Sequence, residues 1–227
     1  MKFKDFIETP HTREWLIKGL IPKGHVVLIA GLPGVGKSWI VDAIAIHIAS
    51  GKPFLELPVI QGQVTLIDED TPTDELLNRL ERLAKGLNIN ADDLPLEVHS
   101  MENFNLNDDK SLQKLEQEVS ELKPTLVILD CLSQIMGGDF NEDSAKDANK
   151  AGRVWNILKS TGATVFVTHH LNKREGNLTT DFVKLLRGSG ALVANSDTAF
   201  GIELRGNNPT RFNIYPVVTF PPKTVTP

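Results

Sequence analysis

The chain has 227 residues and a formal net charge of -5, with 41% hydrophobic and 23% charged residues. That length suits one large α/β domain with its own core, and the acidic balance excludes a surface that attracts nucleic acid as a whole, so a polyanion would have to be met locally. No apolar run approaches the ~20 residues of a membrane helix, MKFKDFIETP lacks the layout of a secretory signal, and the single cysteine, Cys131, makes no internal disulfide, so a cytoplasmic protein without a membrane partner is expected.

In chain order, four short aliphatic runs are predicted as strands: HVVLIA (25–30), QVTLID (63–68), TLVILD (125–130) and ATVFVT (163–168). Each is nearly continuous rather than alternating, the pattern of strands buried on both faces of a parallel sheet. Helical spacing fills the intervals. Residues 38–50 repeat apolar side chains at 40, 41, 44, 45 and 48 and stop at Gly51, and 73–85 carries Leu76, Leu77, Leu80 and Leu83. Residues 111–122 and 142–160 follow the same rule, and strand–helix alternation predicts an α/β fold with a mainly parallel central sheet flanked by helices. Leu171–Gly190 is polar, glycine-bearing and long for a loop, hence a functional segment. SDTAFGIEL (196–204) and TRFNIYPVV (210–218) flank the turn-forming GNNP and predict a C-terminal antiparallel strand pair, so that 1–220 form one domain and 221–227 a tail or linker.

GLPGVGKS, Gly31, Leu32, Pro33, Gly34, Val35, Gly36, Lys37 and Ser38, matches the phosphate-binding loop and sits between a buried strand and a helix, the context that its mechanism requires. Glycines let consecutive backbone amides and the positive helix end face one anion; Lys37 reaches the terminal phosphates and Ser38 supplies a hydroxyl to Mg²⁺. Trp39 follows directly, either beside the nucleotide or in ordinary packing. Asp130, ending the third strand, arrives at the same sheet edge as Lys37 and is the second Mg²⁺ ligand. Asp68, Glu69 and Asp70 end the second strand and serve either water activation or the cap of the helix that follows; alternation along the chain sends Glu69 one way and its neighbours the other. His169 and His170 likewise face opposite sides of an extended segment, and no cysteine or histidine partner stands at zinc-ligand spacing from them. Cys131 reads as core.

Taken together, GLPGVGKS, LIDED, TLVILD, a fourth strand running into THH, and RGSGAL resemble the RecA-like ATPases of the RepA type, hexameric replicative helicases of plasmids and phages, from about Trp15 to Leu204. The resemblance implies a RecA-like P-loop NTPase fold, ATP as substrate with Mg²⁺, Glu69 as catalytic base, His169 or His170 as γ-phosphate sensor, and a hexameric ring in which a basic residue crosses to the neighbouring site. Arg187 is the first choice for that residue, since a guanidinium meets phosphate oxygens in pairs, with Lys184 and Arg205 as rivals. Single-stranded DNA is expected at loop 171–190, which holds Lys173, Arg174, Lys184 and Arg187 but only Phe182 for base stacking, whereas GGDFNEDSAKD (137–147) is too acidic to grip a phosphate backbone. Two further readings stay open, an ATP-gated regulatory switch with slow turnover and a recombination-type filament ATPase of the RecA/RadA kind.

Overall fold

Seven strands run through the centre of the computed structural model in the order β5 (Leu96–Ser100), β4 (Val64–Asp68), β6 (Leu126–Asp130), β7 (Thr164–His170), β3 (Val26–Gly31), β8 (Thr198–Leu204) and β9 (Phe212–Val218); the structure describes residues 3–4, 13–172, 176, 180–188, 190–205 and 212–218. The four aliphatic runs are β3 (Val26–Gly31), β4 (Val64–Asp68), β6 (Leu126–Asp130) and β7 (Thr164–His170), all mutually parallel. Alternate residues serve opposite faces. Val26, Leu28 and Ala30 of β3 enter one core, beneath α3 (Asp109–Leu122) and α5 (Ala145–Ser160), and Val27 and Ile29 enter the other, beneath α1 (Lys37–Ser50) and α2 (Thr73–Gly86). A sheet covered on both sides has no polar face, which is why these runs lack alternation. Trp155 of α5 and Phe166 of β7 are among the largest buried side chains, each stabilising the fold by roughly 2–3 kcal/mol through the apolar area removed from water.

The antiparallel pair is β8 (Thr198–Leu204) with β9 (Phe212–Val218), and β8 is parallel to β3. The GNNP turn, Lys173, Arg174 and the tail 221–227 lie outside the described residues. Four details depart from the sequence expectations. A small antiparallel pair, β1 (Trp15–Ile17) with β2 (Ile21–Pro22), precedes β3, and an edge strand β5 (Leu96–Ser100) adds to β4. The edge position explains why β5 was illegible: Glu97 and Val98 are exposed, so it has no continuous apolar signature. Leu77 of α2 is 57% exposed and so leaves the apolar face predicted for it, whereas Arg79 is buried there. The helix expected from residue 142 starts at Ala145, because the Ser144 hydroxyl accepts a hydrogen bond from Asp147 N as its N-cap.

The described part of loop 171–190 is more structured than its composition suggested. Leu171 bridges to Leu186, α6 (Phe182–Leu185) forms a single turn, and Phe182, Leu185 and Leu186 enter the core. Phe182, at 1% exposure, therefore has no face on which a base stacks. Among the described residues there are also short helices α4 (Leu132–Ile135) and α7 (Ala191–Ala194) and a 3₁₀ turn at Ala91–Asp93.

Candidate nucleotide site

Strand register assembles the site. Gly31 of β3 is paired with His170 of β7, and Asp68 of β4 with Asp130 of β6, so four residues far apart in sequence end at one sheet edge. The chain leaving β3 turns through Gly34 and Gly36, with φ of +78° and +91°, where a Cβ would meet nothing within 4 Å but the backbone itself would be strained. Gly36 is the N-cap of α1, so the helix begins at Lys37 with its first amides turned into the loop.

Lys37 is 6% exposed and its ammonium donates to the carbonyls of Gly31 (3.1 Å) and Leu32 (3.2 Å) and lies 3.4 Å from His170 Nδ1. Burial lowers its pKa, although Asp130 counteracts this. A charge held by two loop carbonyls and an imidazole is poorly neutralised, and its natural complement is an anion in the loop. Beside it the Ser38 hydroxyl stands by the Asp130 carboxylate and favours its charged form, and the Thr168 hydroxyl donates to Asp130 Oδ1. Asp130 Oδ2 is buried and has no hydrogen-bond partner, and burial with the nearby Asp68 raises the carboxyl pKa to about 6. A buried oxygen without a donor next to a hydroxyl is what a hard cation such as Mg²⁺ takes, so Ser38 and Asp130 fit that ion.

These groups line a cavity of about 340 Å³ together with Gly34, Asp70 and His170. Pro33, Gly36 and Trp39 also face it, and Trp39, 38% exposed, carries the Arg82 guanidinium 5.3 Å above its ring. Three loop residues do not. Gly31 is packed so closely that a Cβ would lie 2.5 Å from Ile202 Cγ2, Val35 belongs to the core, and Leu32 lines a neighbouring apolar hollow of about 290 Å³ with Leu171, Ile202 and Leu204.

The acidic turn after β4 resolves differently from the expectation for Glu69. Asp68 Oδ1 accepts from the amides of Asp70 (2.9 Å) and Thr71 (2.8 Å), a tight turn that delivers Asp70 to the cavity. Glu69 is turned away from it: Oε1 accepts from the amides of Glu102 (2.9 Å) and Phe104 (3.3 Å), and Oε2 from that of Asn103 (3.1 Å). The physical reason is the alternation already noted, reinforced by three convergent donors in a turn where Met101 and Asn103 have positive φ.

His169 and His170 also separate. His169 is fully buried, burial lowers its pKa to about 4, and its Nε2–H donates to the Arg187 carbonyl (2.7 Å). His170 lines the cavity; burial and then Lys37 lower its pKa, leaving a neutral ring. Arg187 lies beside its own chain's His170 and Pro33, donates its backbone N–H to the His170 carbonyl (3.0 Å), and pairs through Nε with Glu142 Oε2 at 2.7 Å. Its side chain remains 56% exposed. Lys184 is paired with Asp181 at 3.4 Å, and Arg205 ends the described residues after β8.

Arg79 is the residue sequence reasoning missed. It donates to Asp68 Oδ2 (3.2 Å) and the Thr71 hydroxyl (3.0 Å), and its Nε lies 2.9 Å from Asp42 Oδ2 without hydrogen-bond alignment. One guanidinium thus ties α1, α2 and the β4 turn. Its signal was available in principle, as a lone charge on the apolar face of α2, three residues after Leu76.

The AAA_25 family model, an AAA domain, matches residues 1–176. DNA repair protein RadA of Aquifex aeolicus is 29% identical over 204 residues, covering 88% of this chain and 37% of that protein, and RadA of Halalkalibacterium halodurans is 24% identical over 159 residues, covering 69% and 30%. The chain thus spans about a third of the length of these relatives. Among solved structures, the KaiC-like protein PH0186 of Pyrococcus horikoshii superposes with a TM-score of 0.61 at 15% identity over 91% of this chain and 87% of that one, a likeness of fold. Among the described residues no helix is long and apolar enough to cross a membrane.

Proposed function

The chain belongs to the AAA_25 family, a branch of the RecA-type P-loop ATPases, and from that premise we propose that it hydrolyses ATP at the cavity between Lys37, Asp130 and His170. The observation that carries this is the buried, under-neutralised Lys37 set in a glycine turn beside the Ser38–Asp130 pair. Loop amides and Lys37 hold the terminal phosphates. Ser38 and Asp130 hold Mg²⁺, which when bound supplies charge that offsets what develops on the transferred phosphoryl group. Asp70 is the carboxylate placed to orient water, and Glu69 is a positioning residue that ties the 102–104 turn to the end of β4. His170, neutral and in contact with Lys37, reads the state of the terminal phosphate, and His169 passes it to Arg187 through the carbonyl it binds. The exposed guanidinium of Arg187 then serves its own site, or a neighbouring subunit's in a ring.

The work coupled to hydrolysis is proposed to be done on single-stranded DNA in a closed oligomer. The RepA-like motif set supports a hexameric replicative helicase, and the 29% identity to a protein named for DNA repair supports a RadA-like ATPase about equally. Steady-state hydrolysis by the parent, Asp70→Asn and Glu69→Gln, each with and without single-stranded DNA, tests the reading. Stimulation by DNA with a larger loss in Asp70→Asn supports it; slow turnover indifferent to DNA points to the regulatory switch; a larger loss in Glu69→Gln returns the base to Glu69.

A further inference from the structure

Within the described residues, one trio of unlike metal-binding side chains converges: the Asp70 carboxylate, the Cys131 thiol and a ring nitrogen of His170, with all three ligand atoms within 4.8 Å of one another. They come from the turn after β4, the position after β6 and the end of β7, so only the parallel register of the sheet unites them. Spacing along the chain could not show this, since each residue stands alone in its own segment. The trio differs in chemistry from the Ser38–Asp130 pair. Two oxygens suit a hard cation that keeps its water, whereas sulfur, imidazole and carboxylate together suit a borderline ion of the zinc class.

We propose that Asp70, Cys131 and His170 form a second cation position, selective for Zn²⁺-like divalent ions. A tetrahedral zinc centre with bonds of about 2.0–2.3 Å separates its ligand atoms by roughly 3.3–3.7 Å, so the trio needs to close by about 1 Å. Asp70 is exposed and supplies that freedom, while Cys131 is fixed at 1% exposure. Three protein ligands leave the fourth position to water. Binding replaces the S–H bond of Cys131 by a sulfur–metal bond and releases the proton to solvent, with no change of oxidation state. The position shares Asp70 and His170 with the nucleotide cavity but needs no nucleotide to form.

The test is a titration of the nucleotide-free full chain with Co²⁺ in excess Mg²⁺, following the thiolate-to-cobalt charge-transfer band in the near ultraviolet. One equivalent is expected to produce the band, Zn²⁺ to abolish it, Cys131→Ser to lack it, and Asp70→Asn to need on the order of tenfold more Co²⁺. Asp70 is exposed, so its variant remains informative even if Cys131→Ser misfolds by circular dichroism. No band, or the same Co²⁺ affinity in Asp70→Asn as in the parent, overturns the site.

Discussion

Replacing Arg79 with methionine isolates the electrostatic part of the fold. Methionine keeps the stem in the apolar face of α2, so the loss is mainly that of a guanidinium serving two carboxylates, Asp42 and Asp68, each fully buried. Removing one partner of a buried ion pair destabilises by about 3–5 kcal/mol, a large share of the roughly 5–15 kcal/mol that holds an ordinary domain. In urea at pH 8 this is a fall in midpoint of about 1–2 M. The pH dependence is the sharper test. Burial raises the Asp42 pKa from 3.8 to about 7, with Arg79 pulling against it. Below the unfolded value the carboxyl is neutral in both states and does not oppose folding; as pH rises toward 7 it ionises first in the unfolded chain, and its unfavourable effect grows. At pH 5 Asp42 is therefore already largely neutral in the folded parent, Arg79 has less charge to balance, and the loss in Arg79→Met shrinks. A loss below ~1 kcal/mol at pH 8, or an equal loss at both pH values, would refute the view of Arg79 as a buried counter-ion. Because Asp68 also holds the amides of Asp70 and Thr71, the variant is further expected to bind nucleotide more weakly even where it is folded.

Other perturbations probe separate parts of the argument. Gly31→Ala places a Cβ 2.5 Å from Ile202 Cγ2 and 2.8 Å from the Ile202 carbonyl, and should destabilise by about 1–3 kcal/mol in thermal melts while shifting the loop. Gly188→Ala, at φ +89° with backbone of Glu142 at 2.4 Å, should displace Arg187; coupling between DNA and hydrolysis should fall more than nucleotide affinity, as seen by comparing KM and kcat with and without DNA. Lys37→Ala removes the cation proposed to hold the phosphates, and a drop in the hydrolysis rate on the order of 10²-fold or more is expected in single-turnover assays. For His99, burial opposes the charge but Glu118 (2.7 Å) and Glu102 (3.1 Å) prevail and raise its pKa, so its stabilising contribution is complete below the unfolded value of 6.5 and is lost as pH rises through the higher folded one; an NMR titration should place it above 6.5.

The sequence alone determined the four aliphatic strands and the glycine turn before α1, because each depends on a local pattern. A run of β-branched residues between helices has little choice but to be a buried parallel strand, and a glycine turn before a helix makes an anion cradle from its own backbone. It also predicted that Glu69 and Asp70, and His169 and His170, would face opposite ways, since extended chain alternates. Which member of each pair meets the cavity was decided only in the tertiary structure. Asp70 faces inward because Asp68 caps its amide, Glu69 outward because the 102–104 turn offers three donors, and His170 inward because its register partner is Gly31. The burial of Phe182, the pairing of Arg187 with Glu142 and the partners of Arg79 were beyond local patterns, although the place of Arg79 on the apolar face of α2 was not. Arg187 depends on Glu142, 45 residues away, and Arg79 on Asp42 of another helix, groups that only the folded chain brings together.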